Sequence, residues 1–284
     1  MALLKEIADV QTGPFGSQLH KEDYVEVGTP IVTVEHLGNR IFTEQNLPMV
    51  SDEDKERLSK YILQEGDIVF SRVGSVDRCS YVDGAHDGWL FSGRCLRVRP
   101  NHNVDAEYLY YFFTKEETKQ LIRSIAVGAT MPSINTNILN NVEVQLPSLV
   151  IQRKIARVLS VIDKKIEVNN EINRNLQEQC DAIYKNMFEI NFDDNWRVGY
   201  LSELITIKYG KDHKKLGNGN IPCYGSGGVM RYVEKSIYDH ESVLIPRKGT
   251  LNNVLYVNTP FWSVDTMFYT CLLYTSPSPR DGAT

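Results

Sequence analysis

Short runs of apolar and β-branched residues, separated by turn residues, fill the first half of the chain. Three such runs cover 28–34, 66–71 and 95–100, and each is bounded by glycine or proline, which is typical of strands. A helix is predicted from Ala106 to about Arg123, where Leu109, Phe112 and Phe113 form one apolar face. Residues 1–146 are therefore predicted to form one domain that mixes strands and helices.

A different pattern begins after Pro147. The chain has no glycine or proline between Ser148 and Gly199, and apolar positions recur at alternating intervals of four and three residues. This spacing is typical of a helix that packs along a partner helix. We predict a long coiled-coil spacer helix over 147–192 with these helix-pairing positions: Ile155, Leu159, Ile162, Ile166, Asn169, Asn173, Leu176, Ile183 and Met187.

Two polar residues interrupt this apolar series at its middle. Asn169 and Asn173 occupy pairing positions, where a buried asparagine lowers stability but fixes the register of two helices. The alternative interpretation is a surface helix of a larger domain. If the helix does need a partner, the chain should self-associate through 151–188 or be poorly stable alone.

The third block, 193–270, repeats the first in weakened form. Four segments have counterparts in the same order: Leu4–Gly13 with Leu201–Gly210, Val69–Ser75 with Leu244–Thr250, Tyr81 with Tyr256, and Phe91-Ser92 with Trp262-Ser263. Four ordered matches predict an internal duplication whose second copy is incomplete.

The end of the chain departs from this pattern. Residues 271–284 lose the strand-like alternation and become rich in serine and proline. They also resemble translated sequencing-adapter sequence. We predict that this segment is a non-native tail.

Composition supports a two-domain globular protein. The chain has 284 residues, 42% hydrophobic and 24% charged, and contains neither an apolar run of membrane-spanning length nor a signal-peptide pattern at its start. Its five cysteines include no Cys-x-x-Cys pair, which argues against a zinc site or a disulfide framework. These features favour a cytoplasmic protein without membrane contact.

Charge alone does not suggest nucleic acid. The net charge is −5 for the whole chain, and residues 1–146 hold 14 basic against 21 acidic residues, a net charge of −7. Domains that bind nucleic acid are often basic. Any DNA contact must therefore depend on local basic patches or on a partner protein.

Several motifs occur together in a recognisable order: Ile7–Ser17, Gly66–Val69 with Arg72–Gly74, Leu146–Ala156 running into Leu159–Ile166, Ile221–Gly228, and Pro246–Thr250. In this order they resemble the specificity subunit of type I restriction–modification enzymes over about residues 1–270. The resemblance implies two target-recognition domains that each read half of a split site in double-stranded DNA. It also implies two antiparallel spacer helices, bound methyltransferase subunits and a separate restriction motor-nuclease subunit.

The sequence holds only part of that plan. The expected fold class is α+β: a globular α/β target-recognition domain (1–146), one long coiled-coil spacer helix, and an incomplete second recognition domain (193–270). Neither the Asn/Asp-Pro-Pro-aromatic motif of adenine methyltransferases nor a phosphate-binding Gly-x-x-x-x-Gly-Lys-Ser/Thr loop is present. A non-catalytic recognition subunit without cofactor or metal is therefore expected. The alternatives are a fragment of a fused methyltransferase or nuclease polypeptide, a half-length subunit acting as a dimer, and a coiled-coil assembly protein.

Candidate DNA contacts follow the predicted strands. Phe15, Gly16 and Ser17 lie in a tight turn whose backbone amides could approach a phosphate, or which could be a plain hairpin. Five further candidates end matching strands in the two copies: Arg72 and Ser75, and Arg247, Lys248 and Thr250. Their chemistry suits phosphate or guanine, but their presence in both copies favours a shared structural or backbone role.

Two other groups complete the candidates. Lys211, Lys214 and Lys215 form the densest basic cluster, which suits a phosphate-binding loop or a solvated one. Ser133 and Asn135 lie in a polar loop and could bond base edges, although capping of the following turn explains them equally well. The sequence does not single out the residues that read bases.

Overall fold

The structure, a computed structural model, describes residues 1–14, 18–128, 130–191 and 198–273. It divides into two compact units, Met1–Ile183 and Tyr184–Thr284. Among the described residues, no helix is both long enough and apolar enough to cross a membrane.

The first unit alternates short strands with helices. Its strands are β1 (Ala2–Leu3), β2 (Ala8–Thr12), β3 (Tyr24–Val25), β4 (Thr29–Val32), β5 (Met49–Val50), β6 (Ile68–Ser71), β7 (Cys79–Tyr81), β8 (Leu90–Phe91), β9 (Cys95–Pro100) and β10 (Glu143–Val144). Its α-helices are α1 (Leu4–Ile7), α2 (Asp52–Arg57), α3 (Ala106–Thr114), α4 (Glu116–Ile125), α5 (Thr136–Asn140) and α6 (Leu149–Lys185). The division between the units falls within the last turn of α6.

One antiparallel sheet, with the spatial order β2-β9-β6-β7, is packed on both faces. Successive residues of a strand point to opposite faces, and along β6 Ile68 and Phe70 enter one buried cluster while Val69 enters another. The first cluster lies against α1, α3, α4 and α5, and the second against the sheet of order β3-β5-β4-β8. This double burial explains why residues 68–70 form an unbroken apolar run.

The helix predicted from Ala106 to Arg123 is two helices. α3 ends at Thr114, Lys115 has extended backbone (φ −61°, ψ 139°), and α4 begins at Glu116. The hydroxyl of Thr114 donates to the carbonyl of Tyr111 at 2.9 Å, which closes the last turn of α3. The break redirects the chain so that Ile122 of α4 enters the same buried cluster as Phe113.

The prediction of a long helix after Pro147 is confirmed. α6 has 37 residues, a length of about 55 Å at 1.5 Å per residue, and continues into a π-helical turn, Asn186–Ile190. Its first turns dock on the first unit through buried Gln152 and Ala156. The Gln152 carboxamide accepts from the backbone N–H of Asp105 at 2.9 Å and donates to the carbonyl of Pro147 at 2.8 Å.

A polar cluster fixes the next turns of α6 to the same unit. The Tyr111 hydroxyl donates to Asp163 at 2.8 Å, and Arg40 pairs with Glu107, Asp163 and Glu167 at 2.5, 3.8 and 3.7 Å. Burial and the neighbouring Asp163 carboxylate raise the pKa of the Tyr111 hydroxyl, so that it remains a donor. These contacts set the direction in which α6 leaves the first unit.

The second unit repeats the sheet of the first. Its described strands are β11 (Ile205–Tyr209), β12 (Asn218–Gly225), β13 (Gly228–Val233), β14 (Ser242–Pro246), β15 (Leu255–Val257), β16 (Trp262–Ser263) and β17 (Met267–Leu272). The spatial order β11-β17-β14-β15 matches β2-β9-β6-β7 strand for strand. The parallel pair β12 and β16 likewise matches the parallel pair β4 and β8. The duplication therefore extends from the sequence to the topology.

The register of the two sheets agrees with most of the sequence alignment. Tyr81 pairs with Ile68 and Tyr256 with Val243 at equivalent positions. The N–H of Gly13 donates to Cys95 at 3.2 Å, and the N–H of Gly210 donates to the equivalent Met267 at 3.0 Å. These bonds place the two glycines at the same point after the first strand of each sheet.

The last aligned pair was wrong by one residue. Val32 pairs with Phe91 and Tyr224 pairs with Ser263, so that Phe91 corresponds to Ser263 and not to Trp262. A two-residue parallel bridge leaves too few side chains for an aromatic match to define the register. Because the side-chain period of a strand is two, a one-residue shift exchanges inward and outward positions.

The last strand extends beyond the predicted end of the third block. Cys271 and Leu272 belong to β17 and pair with Thr206 and Ile205 of β11. Cys271 corresponds to Arg99 of β9 and Leu272 to Pro100, so these two residues complete the strand. Residues 274–284 lie outside the described part of the chain, and a non-native tail there stays a prediction.

We expect Gln152→Ala to lower the free energy of unfolding of the first unit by about 1–3 kcal/mol, because it leaves the N–H of Asp105 and the carbonyl of Pro147 without their buried partner. Urea unfolding gives the change. Gln177→Ala is the matched control, since Gln177 is exposed on the same helix and bonds only across one turn, to Asp181. Equal effects of the two substitutions would contradict the docking role of Gln152.

We also expect Gly13→Ala to lower the free energy of unfolding by about 1–3 kcal/mol, as overpacking does. A Cβ atom there would lie 2.2 Å from the carbonyl oxygen of Ser92, whereas at Gly84 its nearest neighbour would be a side-chain oxygen of Glu65 at 3.7 Å. Gly84→Ala is therefore the control, and its unfolding curve should stay close to that of the parent chain. A neutral Gly13→Ala would show that the end of β2 can move away from β9.

Candidate nucleic-acid interface

The loops after β2 and β6 emerge at the same end of the first sheet. Both strands run antiparallel to β9, which lies between them, so they are parallel to each other and end at one edge. The predicted contacts Arg72 and Ser75 follow β6 at this end, and Ser75 is exposed. Phe15, Gly16 and Ser17, predicted as a turn after β2, lie outside the described residues.

A second loop joins the first through backbone hydrogen bonds. The N–H of Gly74 donates to Pro132, and the N–H of Ile134 donates to Arg72, at 2.8 and 2.9 Å. Ser133 pairs with Val73 in an isolated bridge. The structure thus brings the predicted residues Arg72, Ser75, Ser133 and Asn135 together.

Three of these side chains bond within the protein. Asn135 caps α5 by accepting from the N–H of Ile138 at 2.9 Å, and the Ser133 hydroxyl donates to the carbonyl of Val127 at 3.2 Å. Capping of the following turn, the structural alternative for Asn135, is therefore present. The guanidinium of Arg72 donates to the carbonyl of Gly93 at 3.3 Å, so Arg72 also ties its loop to the segment before β9.

The second unit presents its candidates at the corresponding end of its own sheet. β11 and β14 both run antiparallel to β17, and their loops hold exposed basic and hydroxyl residues: Lys211, Lys214, Lys215, Arg247, Lys248 and Thr250. The N–H of Arg247 donates to Thr266 as that of Arg72 donates to Arg94, both at 2.8 Å. Arg72 and Arg247 are therefore structural equivalents.

Specific contacts shape the lysine loop. The indole N–H of Trp262 donates to the carbonyl of Lys211 at 3.0 Å, and Asp212 accepts from the N–H of Lys214 at 3.0 Å. That backbone hydrogen bond holds the pKa of the Asp212 carboxyl below its usual value. The ionised carboxylate fixes the backbone while Lys211, Lys214 and Lys215 stay exposed.

A polar groove that the sequence did not reveal lies beside Arg72. It measures about 580 Å³, and its polar lining comes from Thr33 and Glu35 after β4 and from Ser92 and Arg94 before β9. These two segments are 57 or more residues apart in sequence and meet because β4 pairs with β8. Since neither segment carries a motif of its own, only the fold could identify this groove.

The helix-pairing residues lie on the surface of α6 in the described chain. Their apolar members range from 37% exposed at Leu159 to 58% at Ile183, and Asn169 and Asn173 are exposed as well. Ile155, Leu159 and Ile162 line an apolar groove of about 800 Å³ between α3 and α6. This series is therefore uncovered in the described chain.

The described residues contain no cluster of three or more His, Cys, Asp or Glu side chains that could hold a metal ion. Cys79, Cys95, Cys223 and Cys271 are buried free thiols, and Cys180 is an exposed one on α6. Burial raises the pKa of the Cys79 and Cys95 thiols to about 12, so neither is a reactive thiolate near neutral pH.

Residues 2–178 match the family model described as the type I restriction modification DNA specificity domain. The proposed MjaX specificity subunit of a type I restriction enzyme from Methanocaldococcus jannaschii is 28% identical over 284 aligned residues, which cover 92% of this chain and 63% of the relative. The MjaIX specificity subunit of the same organism is 29% identical over 76% of this chain and 50% of its own length. The chain thus spans between half and two thirds of these relatives.

The fold agrees with the sequence match. The crystal structure of the S subunit of a type I restriction–modification system from M. genitalium aligns with a TM-score of 0.68 at 19% identity, covering 96% of this chain and 72% of that one. The family match covers nearly all of the first unit, including most of α6. The chain therefore belongs to the type I restriction–modification DNA specificity family, whose role is the recognition of a DNA sequence.

Proposed function

We propose that this chain is the DNA-reading subunit of a type I restriction–modification system and performs no chemistry itself. Residues 1–146 and 193–270 act as target-recognition domains for the two halves of a bipartite site. The duplicated sheet carries this proposal, because two copies of one topology deliver equivalent loops containing Arg72 and Arg247. Two similar readers on one chain suit a site that is itself divided in two.

In this proposal α6 is the spacer between the two recognition domains. The helix α6 has a length of about 55 Å, which corresponds to about one and a half turns of B-DNA at about 34 Å per turn. The contacts of Gln152, Arg40 and Tyr111 anchor its first turns to the first unit. A rigid helix anchored at one end measures a gap more accurately than a flexible linker.

Charge indicates that phosphate contacts are shared with other proteins. Residues 1–146 have a net charge of −7, and phosphate contacts by basic residues supply most non-specific DNA affinity. In the second unit Lys211, Lys214 and Lys215 form a local basic patch. We propose that methyltransferase subunits bind the exposed apolar series of α6 and provide the remaining phosphate contacts, and that a restriction motor-nuclease subunit joins them.

The main catalytic alternative is a fragment of a fused methyltransferase or nuclease polypeptide. Incubation of the pure chain with duplex DNA and a labelled methyl donor separates the two hypotheses. A recognition subunit transfers no label until methyltransferase subunits are added. Transfer by the chain alone would contradict the non-catalytic proposal.

A half-length subunit acting as a dimer is a second candidate, favoured by the uncovered series on α6. Leu159, Ile162 and Ile166 are 37%, 51% and 53% exposed, and apolar residues in this spacing pack well against a second helix of the same kind. In such a dimer two copies of the first unit would read the two halves of a palindromic split site.

The affinity for DNA should fall as the salt concentration rises, and it should fall less steeply when lysines of this loop are replaced. We expect Lys214→Ala with Lys215→Ala to reduce the slope of log K against log salt by about 2, since each phosphate contact contributes about 0.9. Fluorescence anisotropy with a duplex, in the presence of the methyltransferase partner, measures the slope.

Lys5→Ala is the control for this double variant. Lys5 is an exposed lysine of α1, before the start of β2 and thus at the end of the first sheet opposite the candidate loops. Its loss should leave the slope unchanged. A double variant with the slope of the parent chain would show that the lysine loop does not touch the phosphates.

Self-association should be sensitive to the apolar series of α6. We expect the chain to form dimers at micromolar concentration, and Ile162→Glu with Ile166→Glu to yield monomers, because buried glutamates would lose hydration without a partner. Light scattering gives the mass. Lys164→Glu, between them on the outer side of the heptad pattern, should leave the mass unchanged, whereas a monomeric parent chain would exclude the dimer.

A further inference from the structure

The polar groove of the first unit lies at the end of the sheet that carries the candidate loops. Arg72 connects the two, because its N–H donates to the carbonyl of Arg94 at 2.8 Å and its guanidinium donates to Gly93 at 3.3 Å. Thr33, Glu35, Ser92 and Arg94 line the groove. A nucleic acid that contacts the loop after β6 therefore also reaches this groove.

Arg94 differs from the other arginines of residues 1–146. Each of the others donates to a carboxylate or a carbonyl: Arg40 to Glu107, Arg57 to Asp54, Arg72 to Gly93, Arg78 to Leu37, Arg97 to Asp9, Arg99 to Asp67 and Arg123 to Asp77. Arg94 is exposed, and its side chain has no hydrogen bond or ion pair with any residue that the structure describes. Its five N–H donors are thus available to a ligand.

The charges of the groove suit base edges better than phosphate. Glu35 is exposed in the same groove and forms no ion pair with Arg94 among the described residues; its carboxylate accepts from the Thr33 hydroxyl at 3.1 Å. A carboxylate repels a phosphate, so the groove is a poor phosphate site. The edge of a G·C pair offers both acceptors, guanine O6 and N7, and a donor, the cytosine amino group.

A comparison of the two units distinguishes the residues that hold the backbone from those that line the groove. Equivalent positions that hold the backbone are the same in both units: Gly13 and Gly210, Arg72 and Arg247. The groove positions differ. Arg94 corresponds to Thr266, because Arg72 and Arg247 donate to them in the same way. Glu35 lies in a 3-10 turn after β4, whereas β12, the equivalent of β4, runs directly into the hairpin turn before β13 and carries no carboxylate there. Readers of two different half-sites should differ in this way, whereas a shared scaffold should not.

We infer that Arg94 and Glu35 are base-reading residues of the first unit, an inference that rests on the proposed DNA-reading function. Arg94 donates two hydrogen bonds to guanine O6 and N7, and Glu35 accepts from a cytosine N4 amino group. The first half-site therefore contains a G·C pair at the position that faces the groove. Arg72 holds the loop that presents Arg94.

Selection of bound duplexes from a random-sequence library tests this inference. The parent chain with its methyltransferase partner defines a bipartite motif, and the selection is repeated with Arg94→Ala, Arg94→Lys and Glu35→Gln. Arg94→Ala should lose the preference for guanine at one position of one half-site by about 10- to 100-fold, the discrimination of one bidentate pair. Arg94→Lys should lose most of that preference while keeping the salt dependence, because it retains the charge without the planar fork.

The second half-site serves as the internal control. Its motif should be unchanged in all three variants, and Lys5→Ala, which removes an exposed cation before the start of β2 and thus at the opposite end of the sheet, should leave both half-sites unchanged. Glu35→Gln should relax the preference at a cytosine. Since the Arg94 side chain is exposed and unbonded within the described chain, thermal unfolding of its variants should match that of the parent chain.

The outcomes separate the inference from the function on which it rests. A parent complex that selects no motif would overturn the proposed function and this inference with it. A clear parent motif that Arg94→Ala preserves at every position, with affinity uniformly reduced, would overturn the inference alone and assign Arg94 to phosphate.

Discussion

In each unit one central strand is hydrogen-bonded along both edges, and its direction determines the rest of the sheet. β9 pairs with β2 and β6, and β17 pairs with β11 and β14, in every case antiparallel. The two flanking strands must then run the same way and end at the same edge. Their loops meet there whatever sequences they carry, because the core depends on the strands and not on the loops. This constraint lets one framework present different side chains to different ligands.

Two arginines of the first sheet form ion pairs within the protein. Within the first sheet the buried Arg97 pairs with the exposed Asp9, and Arg99 pairs with the buried Asp67, so both guanidinium groups are already paired within the protein. A chain that uses its cations internally has few left for phosphates, in keeping with the net charge of −7 over residues 1–146. In the proposed function, associated proteins therefore supply most of the affinity, while this chain contributes directional hydrogen bonds, which distinguish one base from another.

Patterns with a clear period could be predicted from the sequence. The strands at 68–71 and 95–100, the long helix after Pro147 and the duplication all follow from alternation, heptad spacing or repeated order. The break at Lys115 could not, because neither glycine nor proline marks it and the burial of Ile122 decides it. Arg94 could not be distinguished either, since Arg94, Arg97 and Arg99 are chemically alike along the chain. Only the fold shows which of them are already bonded: Arg97 donates to Asp9 of the neighbouring strand β2, and Arg99 donates to Asp67.

The spacer helix differs from the sheets in the kind of contact that fixes its position. In a sheet, buried apolar residues fix the framework and polar loops vary, whereas on α6 an apolar series remains exposed while polar contacts fix its first turns. Asn169 and Asn173 affect register only when that series is covered, because an exposed asparagine has water as its partner. The anchoring by Gln152 and Arg40 sets the direction of the helix before any partner binds. A partner helix would then set how far along α6 the register is fixed.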